Sequence, residues 1–250
     1  MKKYVPILIL IFLSAAGTIF AQETGQIDAS KPTNFYSSLD NTLELNLQES
    51  TVSLVGYRAK LTLAPSERHL ILAEIPLLYN LPNKKFGLGD IRARYFYLPY
   101  KNYEKFIGAF GPSVDIIAPT GSAANGIGSG RWTIAPGLAT GLMFAHWIQV
   151  FPVLSYQYMT KSTIGDSLLR NPIHGISLQF ITPLGISEKA YFQLTPIFME
   201  NFQNGTGTFS YVQELYFGYQ ITLKGLLSAY YKGDFKNNGH QMSVGYTFFF

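Results

Sequence analysis

The sequence predicts an all-β chain that closes into a transmembrane, antiparallel, up-and-down β-barrel of about twelve strands. Three observations lead there. The C-terminal stretch puts Met242, Val244, Tyr246, Phe248 and Phe250 on one face of a strand and Gln241, Ser243, Gly245 and Thr247 on the other. That period-two alternation suits a wall between lipid and a polar interior. Charged residues make up only 14% of the chain and aromatic ones 15%, whereas a soluble domain usually carries about 25% charge. Such a deficit fits a surface that partly faces lipid. Finally, short alternating segments recur along the whole chain with no linker or low-complexity stretch between them.

Taken in order, the chain opens with Lys2 and Lys3, a wholly apolar run at 5–13, and small residues up to Ala21. This is the layout of a cleaved export signal, expected over 1–21. A periplasmic segment is expected over 22–40 and the barrel over 41–250. There is no cysteine, which excludes a lipid-modified N-terminus and any disulfide. The formal charge is +4, two units of which leave with Lys2 and Lys3. No basic run occurs, so nucleic acid is not an expected partner.

Twelve strands are expected at 41–48, 51–64, 67–78, 87–99, 104–119, 128–143, 145–159, 172–183, 188–200, 207–221, 225–233 and 239–250. The first is the weakest, and losing it with a partner would leave ten. Inner turns are expected at 65–66, 100–103, 144, 184–187 and 222–224, and outer loops at 49–50, 79–86, 120–127, 160–171, 201–206 and 234–238. Short inner turns, longer outer loops and an even strand number are what such barrels use. The uncharged stretch from Trp132 to Met159 is long enough for a membrane helix. Its Pro136, Gly137, Gly141 and Pro152, and its alternation, argue instead for two strands with a turn near Phe144. Pro112, Pro136, Pro152 and Pro196 fall inside expected strands. Each removes a ladder donor, at roughly 1 kcal/mol, and bulges at these points would reconcile them.

Asp90, Arg92 and Arg94 share one face of the strand that follows Gly87-Leu88-Gly89. An arginine facing lipid near the midplane would cost about 2–4 kcal/mol, so this face should look into the lumen. Arg58, Lys60, Glu74, Asp115, Arg131 and Glu214 fall on the inward parity of other strands. These nine are the candidate lumen-lining residues, either as a polar constriction or as an internal ion-pair network. Their mixed signs argue against strong ion selectivity. Gly245, Tyr246, Phe248 and Phe250 resemble the C-terminal insertion signal of bacterial outer-membrane barrels. The barrel-assembly machinery and outer-membrane lipid are thus expected partners. The glycine-rich stretch 119–130 lacks a following Lys-Ser/Thr pair and leads into a strand, so it fails as a phosphate loop. A mobile external loop is expected there.

The Gly-Leu-Gly-Asp strand start at 87–90, then Pro119-Thr120-Gly121, the glycine-rich loop, and a strand with Trp132 and Pro136 resemble the MetA-pathway phenol-degradation family of outer-membrane transporters. The motifs cover roughly 87–140. The resemblance implies a β-barrel passing small, often hydrophobic molecules, and it brings no catalytic or ligand residues with it.

An enzymatic barrel is the rival reading, since the outer-membrane phospholipase family places His and Ser on the barrel wall. The four histidines are His69, His146, His174 and His240, and His174 lies three residues before Ser177, hence on the opposite face. No nucleophile motif or metal-ligand spacing is visible. The expected protein is therefore a non-enzymatic passive channel for a small-molecule solute, without cofactor or metal; a plugged structural or adhesive barrel is the third reading.

Overall fold

Each alternating segment pairs antiparallel with its neighbours in sequence, and the last returns to the first. The computed structural model describes residues 27–28, 30–49, 51–145, 148–162, 164 and 170–250. The expected export signal and His146 lie outside the described residues. The staves are β1 (Ser38–Gln48), β2 (Thr51–Ser66), β3 (His69–Asn80), β4 in two pieces (Lys85–Leu88 and Ile91–Tyr97), β5 (Ile107–Ala118), β6 (Thr133–Ala145), β7 (Ile148–Met159), β8 (Ile173–Gly185), β9 (Ala190–Gln203), β10 (Thr206–Thr222), β11 (Gly225–Asp234) and β12 (Gly239–Phe249). β1 pairs with both β2 and β12, which closes the ring of twelve. The uncharged stretch resolves into β6 and β7. Among the described residues, no helix is long and apolar enough to cross a membrane.

The alternation read from sequence is the inside-outside alternation of the wall. Leu43 and Val244 are 63% and 60% exposed, whereas Glu44 and Ser177 retain 3% and 1%. Apolar side chains thus form the outer face, and charged, small and a minority of apolar ones fill the interior. Aromatic residues also collect at the rims. His69 stacks on Tyr97 with ring centres 4.8 Å apart near the end where β1 starts and β12 stops, and His174 lies 5.2 Å from Tyr158 near the other. This is the girdle pattern of outer-membrane barrels.

Four details differ from expectation. β1 starts at Ser38 rather than 41, because Ser38, Leu39 and Asp40 pair with β2 on one side and β12 on the other. The outer connection expected at 201–206 shrinks to Asn204-Gly205, both at positive φ (54° and 79°), as a two-residue hairpin turn of the primed kind requires. The inner connection between β4 and β5 spans 98–106, longer than 100–103, and its Tyr100–Lys101 adds a short pairing to β5. No bulge sits at Pro136, Pro152 or Pro196, whereas at Pro112 the seam with the preceding chain does slip by one residue, from Phe96 opposite Ser113 to Tyr100 opposite Phe110. The β6–β7 register runs unchanged past Pro136 and Pro152, and the β8–β9 register past Pro196, with bridges merely skipped there. Each of these prolines still pairs on its other side, with Val114, Phe180 and Gln213 respectively. A strand residue's N–H points to one neighbour only, so one missing donor weakens one seam without shifting register.

Candidate functional site

The interior is built from cross-strand charge pairs on one side of the ring. Four opposite-sign pairs stand directly across from each other in register: Asp40 with Lys60, Glu74 with Arg92, Arg94 with Asp115, and Glu214 with Lys232. Diagonal contacts then link several of them into a belt. Gln241 of β12 donates to Glu44 of β1 at 3.1 Å. Arg58 of β2 donates from Nε to Glu44 Oε2 at 2.8 Å and from Nη1 to Glu74 Oε2 at 3.1 Å. Glu74 of β3 also meets Arg92 Nη1 at 3.5 Å. Asp115 of β5 accepts from Arg92 Nε at 2.9 Å and from Arg94 Nε at 3.0 Å. Lys60 meets Asp40 at 2.6 Å. Glu44, Glu74 and Asp115 each therefore lie between two side-chain donors, as charges removed from bulk water require.

Seven of the nine candidate residues, Arg58, Lys60, Glu74, Arg92, Arg94, Asp115 and Glu214, sit on the inward faces of strands. Asp90 and Arg131 do not. Asp90 falls in the break of β4, where its two oxygens accept from the backbone N–H groups of Gly121 (3.0 Å) and Ser129 (2.7 Å). Arg131 precedes β6 and donates from Nη1 to the carbonyls of Thr160 and Asn171, both at 2.8 Å. Parity could not reveal this, because neither residue lies on a continuous strand. Conversely, Asp40 and Glu44 lie outside the nine: the first falls in the segment expected before the barrel, and the second on the weakest expected strand. Their register opposite Lys60 and beside Arg58 could have exposed them.

The other side of the interior is neutral. β6 and β7 contain no Asp, Glu, Lys or Arg, and neither does β8. In β9 the single charged residue, Glu200, stands opposite the outward Phe209, which is 57% exposed. The inward row here is Gly137, Ser155, Ser177 and, closer to the inner end, Ala139 and Val153.

At the inner end the chain's own segment before β1 crosses the mouth. Phe35 is 5% exposed and its ring centre lies 6.4 Å from that of Phe96. Tyr36 packs edge-on against Phe249 at 6.0 Å. Ser37 Oγ accepts from Ala64 N at 3.0 Å, and its carbonyl accepts from Phe250 N at 3.1 Å. Thr33 hydrogen-bonds the Tyr103 hydroxyl, and the Lys31 and Lys101 ammoniums lie 5.7 and 5.6 Å from that ring's centre. Burial pushes the Lys101 ammonium below its ordinary value, with Lys31 adding to the effect and Glu67 opposing it. It also pushes the Tyr103 phenol up, against the Thr33 hydrogen bond.

This segment divides the mouth in two. Against the neutral wall it closes an apolar cavity of about 80 Å³ lined by Phe35, Phe96, Leu98, Ala109, Phe151 and Ile181. Against the charged wall it borders a more polar space of about 180 Å³ lined by Asn34, Tyr36, Asp40, Lys60, Tyr191 and Tyr216.

No family model and no curated protein matches the sequence. Solved structures do. The fold is similar to the COG4313 outer membrane channel from Pseudomonas putida F1, at 14% identity over 90% of this chain and 100% of that one, with a TM-score of 0.62. It is also similar to the NanC porin, at 9% identity over 84% and 98% of the two chains and a TM-score of 0.63. The KdgM porin in complex with disordered oligogalacturonate aligns at 10% identity over 85% and 99%, with a TM-score of 0.55. At these identities the likeness is one of fold: a twelve-stranded outer-membrane type of barrel, shared with channels and porins.

The described histidines offer no hydrolytic pair. His69, His174 and His240 each hydrogen-bond through Nδ1 to a tyrosine hydroxyl, of Tyr95 (2.7 Å), Tyr156 (2.5 Å) and Tyr231 (2.9 Å). His174 faces outward while Ser177 points inward. No cluster of metal-ligating side chains occurs among the described residues.

Proposed function

We propose that the chain is an outer-membrane channel for passive passage of small, apolar or aromatic molecules. The apolar cavity inside the inner mouth carries this reading. A lumen built for hydrated ions has no use for a space walled by Phe35, Phe96, Leu98 and Phe151. The belt supports it too: four inward carboxylates on β1 to β5 (Asp40, Glu44, Glu74, Asp115) face four cations (Arg58, Lys60, Arg92, Arg94). Such a balance holds no surplus charge for a polyanion of the kind the KdgM porin was captured with. The motif resemblance to the phenol-degradation transporter family points the same way.

Residues 1–21 would be removed on export. The assembly machinery would recognise the strand bearing Gly245, Tyr246, Phe248 and Phe250, whose outer face meets outer-membrane lipid. Mature protein starting at Gln22, and a loss of heat-shifted barrel on deleting Phe250, are the expected results.

The buried Phe35 also favours a second reading, a barrel sealed by its own segment. One experiment separates the two. Folded protein, verified by heat-shifted gel migration, is placed in planar bilayers and in cells exposed to the apolar fluorophore phenylnaphthylamine. A channel gives small discrete steps that change in Arg92→Ala or Arg94→Ala, and fluorophore uptake that rises in Phe35→Ala. Folded protein with neither steps nor uptake, in the native chain and in Phe35→Ala alike, would leave the sealed barrel.

A further inference from the structure

We infer that the loop 119–132 is a fixed constriction of the outer mouth and that Asp90 is the positioning residue that holds it there, an inference resting on the channel reading above. The glycine-rich stretch is neither a phosphate loop nor a free external one. Its tip folds inward. Ile127 is 4% exposed, and a Cβ placed on Gly87 would come within 2.7 Å of its Cδ1. Gly87 stands opposite Leu78 on the inward face of the wall. Ile127 thus fills lumenal space that Gly87 leaves open.

Beside it, the inward Asn80 donates from Nδ2 to the carbonyls of Asn125 (3.0 Å) and Gly126 (3.3 Å), and Asn83 reaches Asn125 O at 3.3 Å. These contacts seat the tip against the outer end of β3, the turn that follows it and the inward face of β4 at Gly87. A short 3-10 turn, Ala123–Asn125, capped by Ser122, shapes the tip.

The neck of the loop is where Asp90 acts. The two limbs cross in backbone contact: a Cβ on Gly121 would lie 2.4 Å from Ile127 O, and one on Gly128 would lie 2.6 Å from Gly121 C. Only glycine allows that approach. The Asp90 carboxylate spans the crossing, one oxygen on Gly121 N and the other on Ser129 N. Thr120 adds a second tie. Its hydroxyl donates to Gly89 O at 2.7 Å and accepts from Ile91 N at 2.9 Å. The break in β4 at 89–90 coincides with these ties: Gly89 O and Ile91 N bond the Thr120 hydroxyl, while Gly89 N still reaches Pro76 O of β3. Arg131 then joins the far limb to the neighbouring outer connection through Thr160 O and Asn171 O. The Gly-Leu-Gly-Asp and Pro-Thr-Gly motifs are two halves of one latch, and a solute entering from outside must pass the Ile127 wedge that the latch holds down.

The test reads the wedge directly. The chain has no cysteine, so Leu78→Cys places a single thiol on the inward face opposite Gly87, the position Ile127 covers, and its reaction with a membrane-impermeant maleimide on intact cells reports access through the outer mouth. With Asp90 present the reaction is slow. In Asp90→Ala it should run about tenfold faster, the factor that a loss of roughly 1.4 kcal/mol of anchoring gives. Asp90→Asn, which keeps one acceptor, should fall between. Ile127→Ala provides the second variant should Asp90→Ala fail to assemble. Heat-shifted barrels whose thiol reacts at the native rate in the loop variants that assemble would overturn the proposal. The readout needs no conduction, so a barrel that never conducts can still support or refute the latch.

Discussion

Arg58 and Arg92 each hold two carboxylates, but among the described residues Arg58 is the one cation on the almost inaccessible Glu44, and that makes it the residue whose loss the interior tolerates least. Its removal leaves Glu44, with a side chain 1% exposed, facing Glu74 with no cation between them. An uncompensated buried charge costs about 3–5 kcal/mol. Arg58→Ala should therefore lower the temperature at which the heat-shifted band is lost, or the urea midpoint in detergent, by much more than Arg94→Ala. Asp115 keeps Arg92 when Arg94 is gone, so the second cost is smaller. Pairing Arg58→Leu with Glu44→Gln should recover most of the loss, because the orphaned charge goes with its partner. Equal melting of Arg58→Ala and Arg94→Ala would show that the belt is solvated rather than stressed. Phe35 is the matching case on the apolar side. Burying a phenylalanine contributes about 1.5–3 kcal/mol, a large share of what can hold a short segment. Phe35→Ala should enlarge conductance while leaving the melting of the barrel almost unchanged.

Among the elements, the hairpins and the interrupted seams make different demands. Gly205 at φ 79° adopts a conformation that costs an L-residue roughly 1–2 kcal/mol. Gly205→Ala should then slow assembly of the β9–β10 hairpin and lower its melting by about that amount, as followed by the heat-shift assay over time. The prolines should behave in the opposite way. Pro136→Ala restores a donor worth about 0.5–1.5 kcal/mol net, but also frees the unfolded chain by about 0.4–1 kcal/mol. The two nearly cancel, so the melting should move by less than about 1 kcal/mol equivalent, whereas a shift of several would mean that a hidden bulge does exist. The register continuity past Pro136 and Pro152 is the structural reason. A strand count of about twelve was legible from the connections between alternating runs, but the fate of each proline was not, because a single sequence does not say which neighbour its nitrogen faces.

For the molecule as a whole, charge is segregated rather than absent. The belt on β1 to β5 and the Glu214–Lys232 pair, with N–O at 3.7 Å, balance sign against sign, and the inward faces of β6 to β9 offer none. Open channels should accordingly show a reversal potential close to zero under a tenfold salt gradient. Arg94→Ala, which removes one cation and leaves every carboxylate, should shift it toward cation selectivity. A strongly selective native channel would contradict the balance. The two mouths are narrowed by different parts of the chain, the segment carrying Phe35 inside and the loop carrying Ile127 outside, so native conductance should be small for a barrel of this circumference.

Sequence alone determined the faces of the wall. Leu43, Leu154 and Val244 lie outside and Arg58, Glu74, Arg92 and Asp115 inside, because side chains alternate with period two and lipid rejects charge. It narrowed the strand number to about twelve, because turn residues bound each alternating run, and the pairing of β1 with both β2 and β12 decided against ten. Only the tertiary structure decided partnership: that Arg58 bridges Glu44 and Glu74, that Asp90 leaves the wall to pin Gly121 and Ser129, and that Phe35 turns back into the mouth. Parity assigns a face but neither a height nor a neighbour. Height and neighbour come from register, and register is settled when all twelve strands close on one another.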